Sequence, residues 1–236
     1  MSTMILPSEW VDPKRSARFR KSLGRLSKRE IDVSFASVGI LILLPVFVLI
    51  AIGIKLDSQG PVFYSQERIG HDRRRRRGCL AAGGDRHADA FGRPFMIRKF
   101  RTMVANAERD TGPVWASARD SRVTRVGRFL RRTRLDETAQ LWNVLRGEMS
   151  LVGPRPERPT FVKSLAASLP DYPERYSALP GITGLAQVKS DYDTSLESVH
   201  RKLQYDLYYL KNGCLLLDLR IMAASVKVMA NGHGAH

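Results

Sequence analysis

The sequence predicts an α+β chain, mainly helical, in which one N-terminal membrane helix carries a small domain of short strands and amphipathic surface helices. Three observations predict it. Residues 33–54 read VSFASVGILILLPVFVLIAIGI, with no charge among them, a length that suits a bilayer core better than a core strand. Near the C-terminus, Leu215, Leu216, Leu219, Met222, Val226 and Met229 recur at helical spacing. Between these segments lie short β-prone stretches bounded by turn residues, such as Val62-Phe63-Tyr64 after Ser58-Gln59-Gly60-Pro61. A length of 236 residues allows one sizeable domain with attachments. The expected division is a basic arm over 1–30, the membrane helix over 31–56, the domain over 57–212 and a C-terminal amphipathic helix with its tail over 213–236.

A formal net charge of +16 and a pI near 10.4 give a surface field that attracts nucleic acid, acidic lipid headgroups or phosphorylated substrates. Charge alone does not choose among them. Cys79 and Cys214 stand far apart without metal-ligand spacing, which excludes a disulfide framework and a zinc site and leaves two ordinary thiols of a reducing compartment.

Basic residues flank the apolar run on both sides, Arg15 to Arg29 before it and Lys55, Arg68 and Arg73 to Arg77 after it. A spanning helix would place one cluster outside, against the positive-inside bias. Pro45, mid-segment, supplies a break by removing a backbone donor. The predicted topology is therefore a re-entrant hairpin, with a kinked spanning helix as the alternative. Lys55-Leu56-Asp57 follows the run in place of a small-residue cleavage site, so the segment stays attached. Asp32, three residues after Arg29, either pairs with that arginine or caps the helix.

From His71 to Arg93 the chain holds five consecutive arginines and Gly83-Gly84 but no apolar period, the pattern of a solvated or membrane-facing loop. No Gly-Lys-Ser/Thr follows those glycines, so they form no P-loop. Pro94 to Met103 is apolar but carries Arg98, Lys99 and Arg101, cations suited to a phosphate or to a solvated face. Thr133 and Asp136 satisfy a helix-capping pattern, Leu135, Ala139, Trp142 and Leu145 supply an apolar stripe, and Gly147 stops the helix. That places Asp136 and Glu137 in a first turn, where exposed N–H groups and Arg131, Arg132 and Arg134 favour negative charge. Adjacent helical carboxylates point about 100° apart, so they divide labour better than they face one bond. One attacks a phosphorus atom while the other helps to hold a divalent cation, or both simply cap the helix. Pro154 and Pro156 hold Arg155 on a stiff loop suited to a phosphate. Pro180 to Val188 reads as a glycine-bearing turn into a strand, and the C-terminal helix lies on the membrane or on the protein's own core.

The order of these motifs is distinctive: Lys28-Arg29-x-x-Asp32 before the apolar segment; Gly60-Pro61-Val62-Phe63-Tyr64-x-Gln66-Glu67-Arg68-Ile69-Gly70; Lys99-Phe100-Arg101-Thr102-Met103; Arg131 through Asp136-Glu137 to Gln140-Leu141-Trp142-Asn143-Val144-Leu145; Ser150 to Glu157; and Pro180-Gly181-Ile182-Thr183-Gly184. Together they resemble the bacterial sugar transferase family, the monotopic polyprenol-phosphate phosphoglycosyl transferases. The resemblance covers nearly everything from Lys28 to about Arg220. It implies a re-entrant helix, with Arg29, Asp32 and Pro45 as its marks, on the cytoplasmic face of the bacterial inner membrane. It implies Asp136 as nucleophile, Glu137 as its partner, and Mg²⁺ held by Asp136 and Glu137. The implied reaction is ping-pong: Asp136 takes the phosphosugar from a UDP-sugar, UMP leaves, and polyprenyl phosphate receives the group. Lys99, Arg101, Arg131 and Arg155 then bind the phosphates. The implied partners are the UDP-sugar, polyprenyl phosphate and anionic membrane lipids, with homodimerisation compatible and nucleic acid not among them.

Two departures stand against the family pattern. Leu44 precedes Pro45 where many members have Ser, and His71 to Phe91 looks like an insertion. The chain resembles the minimal form without preceding spans, and Tyr205-Asp206-Leu207-Tyr208-Tyr209-Leu210 resembles the enzymes that use a hexose-1-phosphate. The +16 charge leaves a membrane-tethered nucleic-acid binder as an alternative, and an inactive scaffold of the same fold is another.

Overall fold

The structure, a computed structural model, describes residues 28–72, 91–105, 107, 120–190 and 196–230. The basic arm before Lys28 and most of the predicted 71–93 insertion lie outside the described residues. So does Cys79, while Cys214 is a free, half-buried thiol.

Helix α1 runs from Lys28 to Asp57, starting three residues before the expected boundary and spanning roughly 45 Å at the helical rise. It is long and apolar enough to cross a membrane, and only 11% of its most apolar window is buried. Leu41, Ile42 and Leu49 are about 70% exposed, an outer face that water solvates poorly. The opposite stripe, with Ala36, Ile40 and Leu43 and then Phe47, Ile50 and Ile54, packs on the domain. The expected break at Pro45 is not an interruption: one helix continues through it. Proline removes only the bond to the carbonyl four residues back, and the turns on either side keep theirs.

Both ends of α1 are tied to the same body. At its start, Arg29 donates to the carbonyls of Val144 and Leu145, and Lys28 pairs with Asp218 at 2.6 Å. Asp32, 3% exposed, accepts from the Leu151 N–H at 3.1 Å. Arg29 and Asp32 therefore neither pair with each other nor cap α1, because groups across the fold claim both. At its end, Asp57 accepts from the Val126 N–H at 2.9 Å. Arg101 donates to the carbonyls of Ser58 and Gln59 at 2.7 and 2.6 Å, satisfying acceptors that a helix end leaves open.

Strand β1, Phe63–Ile69, pairs antiparallel with β2, Pro94–Phe100, with Tyr64 opposite Lys99 and Arg68 opposite Phe95. This register puts Tyr64, Gln66, Arg68, Ile97 and Lys99 on one face. Helix α2, Arg125–Thr133, begins at the Thr124 cap. A Cβ on Gly127 would lie 2.0 Å from the Thr102 carbonyl oxygen, so only glycine lets α2 approach the chain just past β2. After α2 come a 3-10 turn, Leu135–Gln140, and helix α3, Leu141–Arg146, which Gly147 stops with φ 76°. The stop falls where the sequence placed it.

The remainder wraps around a short parallel pair, β3, Ser150–Val152, and β4, Gly181–Thr183. Between them lie α4, Pro159–Ser168, and a 3-10 turn, Tyr172–Ser177. Helices α5, Leu185–Lys189, α6, Leu196–Asn212, and α7, Leu215–Ala230, complete the order. The two glycine-bearing turns touch backbone to backbone, since a Cβ on Gly181 would lie 2.1 Å from the Gly153 nitrogen. The strand expected through Val188 ends at Thr183, and α5 takes over. In α7 the core residues are Leu217 and Ile221, packed with Val152, Leu185 and Tyr209. Leu219, Val226 and Met229 of the predicted stripe point outward instead.

Candidate active site

Two helical pieces and one strand bring the predicted acids and cations together. Helix α2 is capped by Arg134, whose φ of 57° makes it the one non-glycine residue in the left-handed region among the described residues. Such a conformation is costly for an arginine and reverses the chain sharply. Thr133 is thus not the cap the sequence suggested: its hydroxyl bonds back to the Phe129 carbonyl at 2.9 Å. Asp136 and Glu137 nevertheless open the 3-10 turn, both less than 10% exposed. Trp142 leaves the predicted stripe and is half exposed.

The two carboxylates have opposite surroundings. Glu137 accepts from Lys99 at 2.8 Å and from Arg155 at 2.5 and 3.3 Å, with Arg134 at 3.9 Å. Burial would raise its pKa, but Arg155 and Lys99 outweigh burial and hold it well below the usual carboxylate range. Asp136 accepts no hydrogen bond among the described residues. Burial raises its pKa, helped by the Glu137 charge and opposed by Lys99, Arg131 and Arg155. One acid is a clamped anion and its neighbour an open oxygen with raised basicity, the asymmetry that assigns different tasks to paired acids.

The supporting residues were only partly legible. Lys99 is lowered by burial against the pull of Glu137. Arg131 is oriented by Thr102, whose hydroxyl accepts from its Nε at 3.0 Å. Arg101, expected on the substrate phosphates, is instead 5% exposed and bonded to the end of α1. Gln140, one turn beyond Asp136, is 1% exposed, and its amide nitrogen has no hydrogen-bond partner among the described residues. Asn143 carries more of the architecture. It donates to the Met96 carbonyl at 2.8 Å and accepts from the Arg98 N–H at 3.0 Å, joining α3 to the free edge of the strand that bears Lys99. A polar residue within Leu141-Trp142-Asn143-Val144-Leu145 was the available signal. Asn143→Leu, nearly isosteric, leaves both β2 groups unpaired and is expected to cost about 3 kcal/mol, read as a lowered melting temperature.

Arg155 leaves β3 on a loop held from several directions. Arg68, lowered to about 10 by burial, donates to the Pro156 carbonyl at 2.9 Å, and the Ile69 N–H donates to the Glu157 carbonyl at 3.0 Å. Arg175 donates to the carbonyl of Arg155 itself at 3.0 Å and pairs with Asp206 at 2.7 Å. Burial raises Asp206 from 3.8 to about 6 despite Arg175. Folded Asp206 thus holds its proton more tightly than the unfolded chain does. Its stabilising contribution is complete below about pH 4 and is lost as pH rises through about 6. Asp206→Asn should flatten the melting-temperature profile across that window.

Chemically, Lys99, Arg131, Arg134 and Arg155 outnumber the two acids, so the site suits an anion bearing more than one negative charge. Two hard carboxylates with no third acidic, histidine or cysteine ligand among the described residues match Mg²⁺, which takes one or two carboxylates and completes its shell with water and phosphate oxygens.

The class so defined is a small α+β domain, moored along one long apolar helix, with an asymmetric acid pair under cations. The chain belongs to the bacterial sugar transferase family, which matches residues 23–232. It is 38% identical over 208 residues to the UDP-N-acetylgalactosamine-undecaprenyl-phosphate N-acetylgalactosaminephosphotransferase of Aeromonas hydrophila, covering 88% of this chain and 44% of that protein. It is 38% identical over 215 residues to the UDP-glucose:undecaprenyl-phosphate glucose-1-phosphate transferase of Caulobacter vibrioides, covering 89% of this chain and 72% of the relative. A putative undecaprenyl-phosphate N-acetylgalactosaminyl 1-phosphate transferase of Bacillus subtilis is 42% identical over 148 residues, or 63% of this chain and 72% of that one. The chain thus spans less than half of the Aeromonas relative and about three quarters of the other two.

Proposed function

We propose that this protein transfers a sugar-1-phosphate from a UDP-sugar to polyprenyl phosphate through a covalent intermediate on Asp136. The observation that carries the reading is the desolvated carboxylate of Asp136, which accepts no hydrogen bond among the described residues, beside a Glu137 clamped by Lys99 and Arg155. An Asp136 oxygen attacks the sugar-bearing phosphorus, and the bond from that phosphorus to the bridging oxygen breaks, so UMP leaves with the electron pair. An oxygen of polyprenyl phosphate then attacks the same phosphorus, and the bond to Asp136 breaks to restore the carboxylate. Lys99, Arg131 and Arg155 hold and orient the phosphates through charge-assisted bonds. Glu137 fixes Lys99 and Arg155 in place. Mg²⁺, held by Asp136 with Glu137 nearby, would neutralise diphosphate oxygens.

The mooring of both ends of α1 on one body supports a helix that enters and leaves the bilayer on the cytoplasmic side of a bacterial inner membrane. The outward residues of α7, Leu219 and Val226 beside Arg220 and Lys227, suit an anionic lipid surface. Several arginines are bound internally, including Arg29, Arg68, Arg101 and Arg175, which favours a small phosphorylated ligand over nucleic acid. The test incubates detergent-solubilised protein with Mg²⁺, polyprenyl phosphate and a panel of UDP-sugars. UMP release with one or more sugars is expected; silence with all of them, beside an active relative, overturns the reading.

A further inference from the structure

Glu137 is aimed at by a fork whose own backbone is held from behind. Arg155 reaches Glu137 with two nitrogens, a bidentate contact that tolerates little angular error. Pro154 and Pro156 on either side limit the loop's dihedrals. They do not fix where the peptide between them sits. Backbone and Arg68 contacts hold the Pro154, Pro156 and Glu157 carbonyls, and the carbonyl of Arg155 itself is held by Arg175, whose Nη2 donates to it at 3.0 Å and lies 2.7 Å from the Asp206 carboxylate. Its Nη1 donates to the Tyr172 hydroxyl at 2.5 Å, and its guanidinium carbon stands 4.9 Å from the centre of that ring.

Arg175 and Asp206 are 7% and 2% exposed, and the first sits in the 3-10 turn while the second sits mid-way along α6. A buried ion pair is poor evidence of stability, because desolvating two charges offsets most of their attraction. This pair touches neither Asp136 nor Glu137 by any direct bond. What it holds is the backbone of the arginine that does reach Glu137.

Building on the function proposed above, we infer that Arg175 and Asp206 are positioning residues that act on phosphosugar transfer through Arg155, by holding its peptide so that the guanidinium meets Glu137 and the donor's phosphates in one orientation. Lysine at 175 keeps the charge near Asp206 but offers one ammonium where the planar fork serves three acceptors. Asparagine at 206 keeps the size of the partner and removes its charge.

The experiment is a double-mutant cycle on the full chain in detergent, with donor kcat/KM from UMP release and UDP affinity from calorimetry as separate readouts. Arg175→Lys and Asp206→Asn are each combined with Arg155→Lys, and wild type and Asp136→Asn run alongside. In the wild-type background each change should lower kcat/KM by about 10- to 100-fold, the scale of a misplacement of about 1 Å, and should weaken UDP binding in step. In the Arg155→Lys background, where no fork is left to aim, each should change both quantities by less than about 3-fold. Equal losses in both backgrounds, or no loss in the first, overturn the inference. Unfolding of both variants at the assay temperature overturns it too, since the pair would then be a core element. A wild type that binds UDP without releasing UMP sinks the proposed function while UDP affinity still decides the role of the pair, and one that does neither sinks both.

Discussion

Asp136→Asn is expected to abolish UMP release, by at least about 10⁴-fold, while the protein melts no lower than the wild type. The two halves of this result have one cause. Asp136 is buried and accepts no hydrogen bond among the described residues, so its charge is a cost to the folded state. Replacing it with a neutral group of the same shape removes that cost and keeps the packing. On the proposed mechanism the same substitution also removes the nucleophilic carboxylate. Calorimetry and UMP release on one preparation check both halves. Brief exposure to labelled donor followed by proteolysis and mass spectrometry should place the label on residue 136 of the wild type. Turnover that survives the substitution would mean that attack on the donor comes directly from the lipid phosphate.

Glu137→Gln is expected to differ in kind, because activity and stability should fall together. Glu137 is the shared acceptor of Lys99 and Arg155, and a neutral amide leaves those cations without their anion. Breaking a buried pair costs about 3–5 kcal/mol. Lys99 and Arg155 keep 20% and 36% side-chain exposure, so solvent screening brings the expected loss down to about 1–3 kcal/mol. Donor kcat/KM should drop by about 10²- to 10³-fold, since Lys99 and Arg155, the groups proposed to bind the phosphates, lose their orientation. The pH dependence has a definite sign. The folded pKa of Glu137 lies below its unfolded value, so its contribution is present at neutral pH and is lost as pH falls below about 4. Melting curves of the variant should therefore be flatter than those of the wild type on the acid side. A variant as stable as the wild type at pH 7 would show that Lys99 and Arg155 find other partners.

Much of the architecture was legible because it depends on short-range patterns. The apolar run led to an expected boundary at residue 31, within three residues of the start of α1, since uncharged length is a property of composition. Gly147 declared the end of α3, because a left-handed C-cap favours glycine wherever it occurs. That Asp136 and Glu137 share a first turn was foreshadowed by local pattern, but by local rules two acids there are more often a cap than a catalytic pair, and only the resemblance implied chemistry for them. Local rules also misplaced the turn itself. The residues from Arg131 to Thr133 satisfy a helix-start pattern but close α2, and Arg134 adopts a left-handed conformation where the chain passes from α2, packed near Ile50 and Ile54 of α1, towards α3, packed near Ala36 and Ile40 of the same helix. Arg101 and Arg155 illustrate the limit most clearly. Each is an arginine in a motif, and nothing nearby distinguishes the one that closes the end of α1 from the one that faces Glu137.

By itself, then, the sequence determined the family, the anchor, the acid pair and the excess of cations around it, because motif order, apolar length and charge are carried by the chain without reference to its path. Tertiary structure alone decided which cations serve the acids and which serve the backbone, that one acid is clamped and the other open, and that Arg175 and Asp206 stand behind Arg155. Those distinctions depend on burial and on partners such as Glu137 with Lys99, 38 residues apart, and Arg29 with Val144, 115 apart. Desolvation and hydrogen-bond direction exist only once such distant groups have been brought within a few ångströms of one another.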